Sequence, residues 1–123
     1  LDEAQPNSKP EIAHVLIMDV VGYSKLLIDR QTAMMAELNE VVRTSTRFRV
    51  ADAAGKLIRL PTGDGMALVF FGDPEAPLEC AVEIARALHR LPEIPVRMGI
   101  HSGPVNKIVD LNEQPNVAGA GID

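Results

Sequence analysis

Two aspartates stand where aspartates are costly or conspicuous. Asp19 interrupts an otherwise apolar run, HVLIMDVVG over residues 14–22, and an unpaired carboxylate buried in such a run is strongly unfavourable. Asp64 follows 45 residues later, inside the turn sequence Thr62-Gly63-Asp64-Gly65. Two carboxylates brought together repel each other, and a hard divalent cation is the usual remedy. Directly after Asp19 come Val20 and Val21, then Gly22-Tyr23-Ser24, a turn into a helix start whose free amides suit phosphate oxygens. Acids for metal beside amides for phosphate make up the chemistry of a nucleoside triphosphate site. Each motif also has a plain structural use. Asp64 serves as a turn residue, Asp19 as a helix cap or the partner of one lysine, and Gly22 as the pivot of a tight strand-to-helix turn.

Positioning these residues requires a sheet. Residues 14–21 form a short Val- and Ile-rich run, long enough for a buried strand and too short for a helix. From Ser24 the period changes: Met34, Leu38, Val41, Ser45 and Phe48 recur at helical spacing to about Ala53, with a break near Asp29 or Gln31 expected between a short first helix and this longer one, and Gly55 stands where a helix-terminating glycine belongs. Residues 56–61 and 66–71 are strand-like runs joined by the Asp64 turn. Asp73, Pro74 and Glu75 open a second helix, which carries Leu78, Ala81, Val82, Ala85 and Leu88 and ends before Pro92. Residues 96–102 form another strand, and 105–111 are expected to pair with it across a turn at Gly103-Pro104. The order βαββαβ is the split-βαβ, ferredoxin-like α+β arrangement, an antiparallel sheet with helices on one face. In it the first strand neighbours the central hairpin, so Asp19 and Asp64 converge on one sheet edge. Residues 1–10, polar and with two prolines, read as a flexible tail or linker, and 11–123 as the domain.

Composition narrows the function. The 123 residues suit one domain, and 46% hydrophobic with 24% charged residues is a globular balance. A net charge of −5 with three Phe, one Tyr and no Trp argues against nucleic-acid binding. The lone Cys80 makes no intrachain disulfide, which fits a reduced, cytoplasmic compartment. No apolar run reaches the length of a membrane span. The chain starts at Leu1 and stops abruptly at Asp123, which reads as a piece of a longer protein.

HVLIMDVVGYSKL resembles the opening strand of the class III nucleotidyl cyclases, the adenylate and guanylate cyclases. LIRLPTGDGMALVF is similar to their second acidic hairpin, VRMGIHSGPV to their later Gly-Ile-His-Ser/Thr-Gly strand, and NVAGAGID to the segment leading into their catalytic Asn and Arg. The resemblance runs from about Glu11 to Asp123 and covers the N-terminal two-thirds of such a catalytic domain. It implies that Asp19 and Asp64, with the Val20 carbonyl, hold two Mg²⁺ or Mn²⁺ ions. It further implies that Gly22, Tyr23 and Ser24 cradle phosphates, and that Arg97 neutralises phosphate charge, the alternative being a solvated strand-edge arginine. The implied reaction turns a purine nucleoside triphosphate, ATP favoured over GTP, into the 3′,5′-cyclic monophosphate and pyrophosphate. The implied assembly is a head-to-tail homodimer with a shared site, in a protein with flanking signalling domains.

The chain departs from the family pattern in the other half of the site. The purine-reading Lys position is Leu60, and Arg59 next to it points to the opposite face of a strand. The second base-reading position is Asn116, and the transition-state Asn position is Asp123, whose negative charge would repel a triphosphate. These departures favour a second reading, a non-catalytic cyclase-homology module that binds nucleotide or dimerises in signalling. Among the remaining residues, His101 is expected to be a hydrogen-bonded structural histidine and Cys80 a packed thiol. Met34 and Met35 are expected as core filler, and Glu75, Glu79 and Glu83 as a solvated helix face.

Overall fold

The computed structural model describes residues 11–91, 94–109 and 115–119; the 1–10 tail and Asp123 lie outside these residues. The elements run β1 (Glu11–Val20), a 3₁₀ turn (Tyr23–Lys25), α1 (Ile28–Thr44), α2 (Thr46–Ala53), β2 (Leu57–Pro61), β3 (Gly65–Phe71), α3 (Ala76–Leu88), β4 (Val96–Val109) and β5 (Pro115–Gly119). The strands form one sheet in the order β2-β3-β1-β4-β5, every neighbouring pair antiparallel. This is the expected ferredoxin-like α+β architecture, extended by a fifth strand.

Strand alternation sorts β1 into two faces. Leu16, Met18 and Val20 point to the helices, where they pack with Met66, Leu68 and Phe70 of β3, Leu38 and Val42 of α1, and Cys80, Ile84 and Leu88 of α3. Ala13 and Val15 point the other way and join Ala67, Val69, Phe71 and Val105 in a second buried cluster, with Ile17, Ile58 and Leu60 half-buried against it. The edge strands β2 and β5 approach one another, so the sheet curls round its helix-free face.

Three local readings need correction. The break between a short first helix and the long one falls at Leu26–Leu27, a few residues before Asp29, and the long helix divides a second time, unexpectedly, at Ser45. Ser45 is almost fully buried, and its hydroxyl accepts from the Phe48 amide at 3.1 Å, capping α2. Gly103-Pro104 makes no turn. β4 runs straight through it, because Ile12 lies opposite Pro104 and Ala13 opposite Gly103, and the reversal comes after Val109. Pro104 lacks an amide, yet it sits on a strand whose ladder continues on both sides. Glu79 and Glu83 are not merely solvated. Glu79 pairs with Arg47 at 2.6 Å, and Glu83 accepts from the Ser45 hydroxyl (2.6 Å) and the Arg47 amide (3.1 Å), so together they clamp α2 to α3.

Candidate active site

The backbones of Asp19 and Asp64 are neighbours at one end of the sheet. In the β1–β3 ladder Asp19 lies opposite Gly65, the residue after Asp64. The Val20 amide donates to the Asp64 carbonyl at 2.8 Å, extending the pairing by one bond into the turn. Gly65 is required for space: a β-carbon there would overlap the Met18 carbonyl oxygen and the Asp19 α-carbon. The Asp64 turn therefore presses directly against β1, and its side chain stands exposed at the rim.

The other strand beside β1 brings Arg97. Asp19 lies opposite Arg97 in the β1–β4 ladder, and the guanidinium donates to both carboxylate oxygens, Nε to Oδ1 at 3.2 Å and Nη2 to Oδ2 at 3.4 Å. The fork is bidentate but long and open to solvent, so it is a weak ion pair. The Asp19 side chain is 27% exposed and that of Arg97 73%, so the pair sits at an open edge. Asp19 thus has its partner, an arginine three strands of sequence away and not a neighbouring lysine. The antiparallel register of β1 and β4 carries that information, and one strand's own sequence does not.

Beyond Val20 the chain turns sharply. The Val21 amide donates to the Pro95 carbonyl at 2.8 Å, and Gly22 adopts φ 75°, a left-handed conformation that favours glycine. The Lys25 and Leu26 amides close the following turn on the Gly22 and Tyr23 carbonyls, both at 3.0 Å. The amides of Gly22, Tyr23 and Ser24 precede those closures, as at the start of any helical turn. The helix that begins here is only the three-residue 3₁₀ turn, while α1 starts at Ile28. Tyr23 rests its ring against the helix-side core.

The positions to which the resemblance assigns base reading lie elsewhere. Leu60 pairs with Ala67 on β3, on the Asp19 face but two strand spacings (about 10 Å) to the side, half-buried against the helix-free cluster. Arg59 points to the opposite face and donates to Asn39 on α1 at 2.9 Å. Asn116 lies on β5, its backbone paired with Ile108, and β5 comes close to β2, the strand of Leu60. His101 is exposed, and its imidazole has no hydrogen-bond partner among the described residues, against expectation. His14, given no role from sequence, instead bonds through Nδ1 to the Ser102 hydroxyl at 2.7 Å. Cys80 is fully buried, and burial raises its pKa, as suits a packed thiol.

The donors at the Asp19 edge are hard oxygens: two carboxylates and the carbonyls of the strand end. Among the described residues no cluster of three metal-ligating side chains exists. Such a set fits a cation that keeps water and takes phosphate oxygens to complete its shell, as magnesium does. Among the described residues, no helix is long and apolar enough to cross a membrane.

No family model matches the chain, and no curated protein does. Among solved structures, it is similar to a bacterial light-regulated adenylyl cyclase, with a TM-score of 0.70 at 14% identity. The likeness covers 93% of this chain and 66% of that one, so the chain spans a little under two thirds of its neighbour's length. The protein shares the fold of an adenylyl cyclase.

Proposed function

We propose that the chain carries the metal- and phosphate-binding half of a nucleotidyl cyclase site. The observation that supports this best is the adjacency of the Asp19 and Asp64 backbones at one end of the sheet, next to the Gly22 turn, on a fold shared with an adenylyl cyclase. Asp19, Asp64 and the Val20 carbonyl would hold two Mg²⁺ or Mn²⁺ ions. Bound there, the ions supply Lewis acidity toward a ribose hydroxyl and screen phosphate charge. The Gly22, Tyr23 and Ser24 amides and the Ser24 hydroxyl bind phosphate oxygens, and Arg97 adds a positive charge beside them. The substrate is a purine nucleoside triphosphate, ATP ahead of GTP, closed to the 3′,5′-cyclic monophosphate with release of pyrophosphate.

The site is open and holds only its acidic half. Asp64 is exposed, and Leu60 offers a base no polar atom. A second copy, head to tail, would bring its own β2–β5 region over these acids and complete the site. The test is Mn²⁺-dependent turnover of ATP and GTP by the natural full-length protein, with Asp64→Ala alongside. Cyclic product that falls by about 10²–10³ or more in the variant is expected, the usual loss when a charged stabiliser is removed. No product from either nucleotide at high protein concentration would sink the enzyme reading. Leu60 then carries the second reading, a cyclase-homology module that dimerises or binds nucleotide without turning it over.

A further inference from the structure

We propose that Arg97 is the internal counter-ion of Asp19 and that it competes with a divalent cation for the same two oxygens. The inference rests on the metal-binding reading above and adds a role for Arg97 that phosphate neutralisation does not include. Both Asp19 oxygens are engaged by Arg97, Oδ1 at 3.2 Å and Oδ2 at 3.4 Å. A carboxylate oxygen that faces a guanidinium N–H has its lone pair directed at that donor, so a cation at that oxygen meets both steric and like-charge opposition. The register fixes the conflict, since Arg97 is directly opposite Asp19 in an antiparallel ladder. The Asp64 carboxylate has no such partner: among the described residues it makes no ion pair or side-chain hydrogen bond. The two acids are thus unequal. Asp64 is open to a cation, and Asp19 becomes available only when Arg97 swings away.

Arg97 is free to do so, because its side chain is 73% exposed. The swing moves a positive charge toward the space beside the Gly22 turn. An anion that captures the guanidinium there uncovers Asp19 for a cation, and a cation on Asp19 releases Arg97 to an anion. Cation and anion binding are therefore coupled through one side chain, and reciprocally so.

The test is Mn²⁺ binding to the full chain without nucleotide, read from the free-ion EPR signal, in wild type, Arg97→Gln, Asp19→Asn and Arg97→Gln/Asp19→Asn. Arg97→Gln is expected to bind Mn²⁺ about 2–5-fold more tightly than wild type, the range in which a partly exposed ion pair competes. Asp19→Asn is expected to abolish that gain in the double variant. Equal or weaker binding by Arg97→Gln, with wild-type binding still lost in Asp19→Asn, overturns the competition and leaves the metal site standing. Wild-type binding no different from Asp19→Asn overturns the metal reading together with this inference. A second measurement needs no substitution at Arg97: its Nε–Hε NMR resonance is expected to move on Mg²⁺ addition in wild type and to stay put in Asp19→Asn. A resonance that ignores Mg²⁺ in wild type overturns the proposal.

Discussion

Single side chains in this protein take their meaning from partners far along the chain. Ser45 shows it best. Its hydroxyl proton goes to Glu83, and its oxygen accepts from the Phe48 amide. The Cys80 thiol, 3.3 Å away, must therefore be the donor in their contact. The Glu83 carboxyl is held below its usual value, chiefly by the Ser45 hydroxyl, and further by the Arg47 and Thr46 amides and the Arg47 charge. A carboxyl depressed in the folded state adds stability above its unfolded pKa of about 4.3, and that stability is lost as pH falls through the folded value. Ser45→Ala is expected to cost about 1–3 kcal/mol at neutral pH, through the lost cap and the unpaired groups left behind. The gap between variant and wild-type melting temperatures is expected to narrow toward pH about 3. A gap that stays constant with pH would show that Glu83 takes no part.

Among the elements, the β1–β3 pairing brings the Asp64 turn beside Asp19. Gly65 lets the Asp64 turn lie against Met18 and Asp19, so Gly65→Ala is expected to force the strands apart there. The cost is about 1–3 kcal/mol by analogy with overpacking, read as a lower denaturation midpoint, and Mn²⁺ binding falls with it. Retained Mn²⁺ affinity in a destabilised Gly65→Ala would mean that the two acids bind independently of this packing. The corrections at β4 belong to the same scale. Gly-Pro is ordinarily a turn signal, but the ladder to β1 holds Gly103 and Pro104 in a strand. A turn preference of a residue pair is weaker than a continuous run of interstrand bonds on both sides of it.

For the whole molecule, the two acids and the Leu60 and Asn116 positions occupy separate parts of one chain. Asp19 and Asp64 share an edge beside Arg97, while Leu60 and Asn116 lie on β2 and β5, the strands that approach each other where the sheet curls. A site assembled from two copies gives turnover that rises with the square of protein concentration when dimers are scarce. Specific activity that climbs with protein concentration is the expected result, and Asp64→Ala chains added to dilute wild type are expected to raise its activity, because they still supply the β2–β5 half. Specific activity independent of concentration, in protein shown to be monomeric, would rule out a shared site.

The sequence by itself determined the order of elements as far as β4, the buried first strand, and the pair of acids, because each depends on residue types at short spacing: period two in strands, three to four in helices, glycine at a tight turn. It also settled that Arg59 and Leu60 part company, since adjacent strand residues face opposite ways. Tertiary structure alone decided which partner each polar group takes. Arg97 reaches Asp19, Ser45 reaches Glu83, and His14 reaches Ser102 across 78, 38 and 88 residues of chain respectively. Those pairings follow from strand register and helix docking, which are cooperative outcomes of packing the whole sheet, and no local window of sequence contains them.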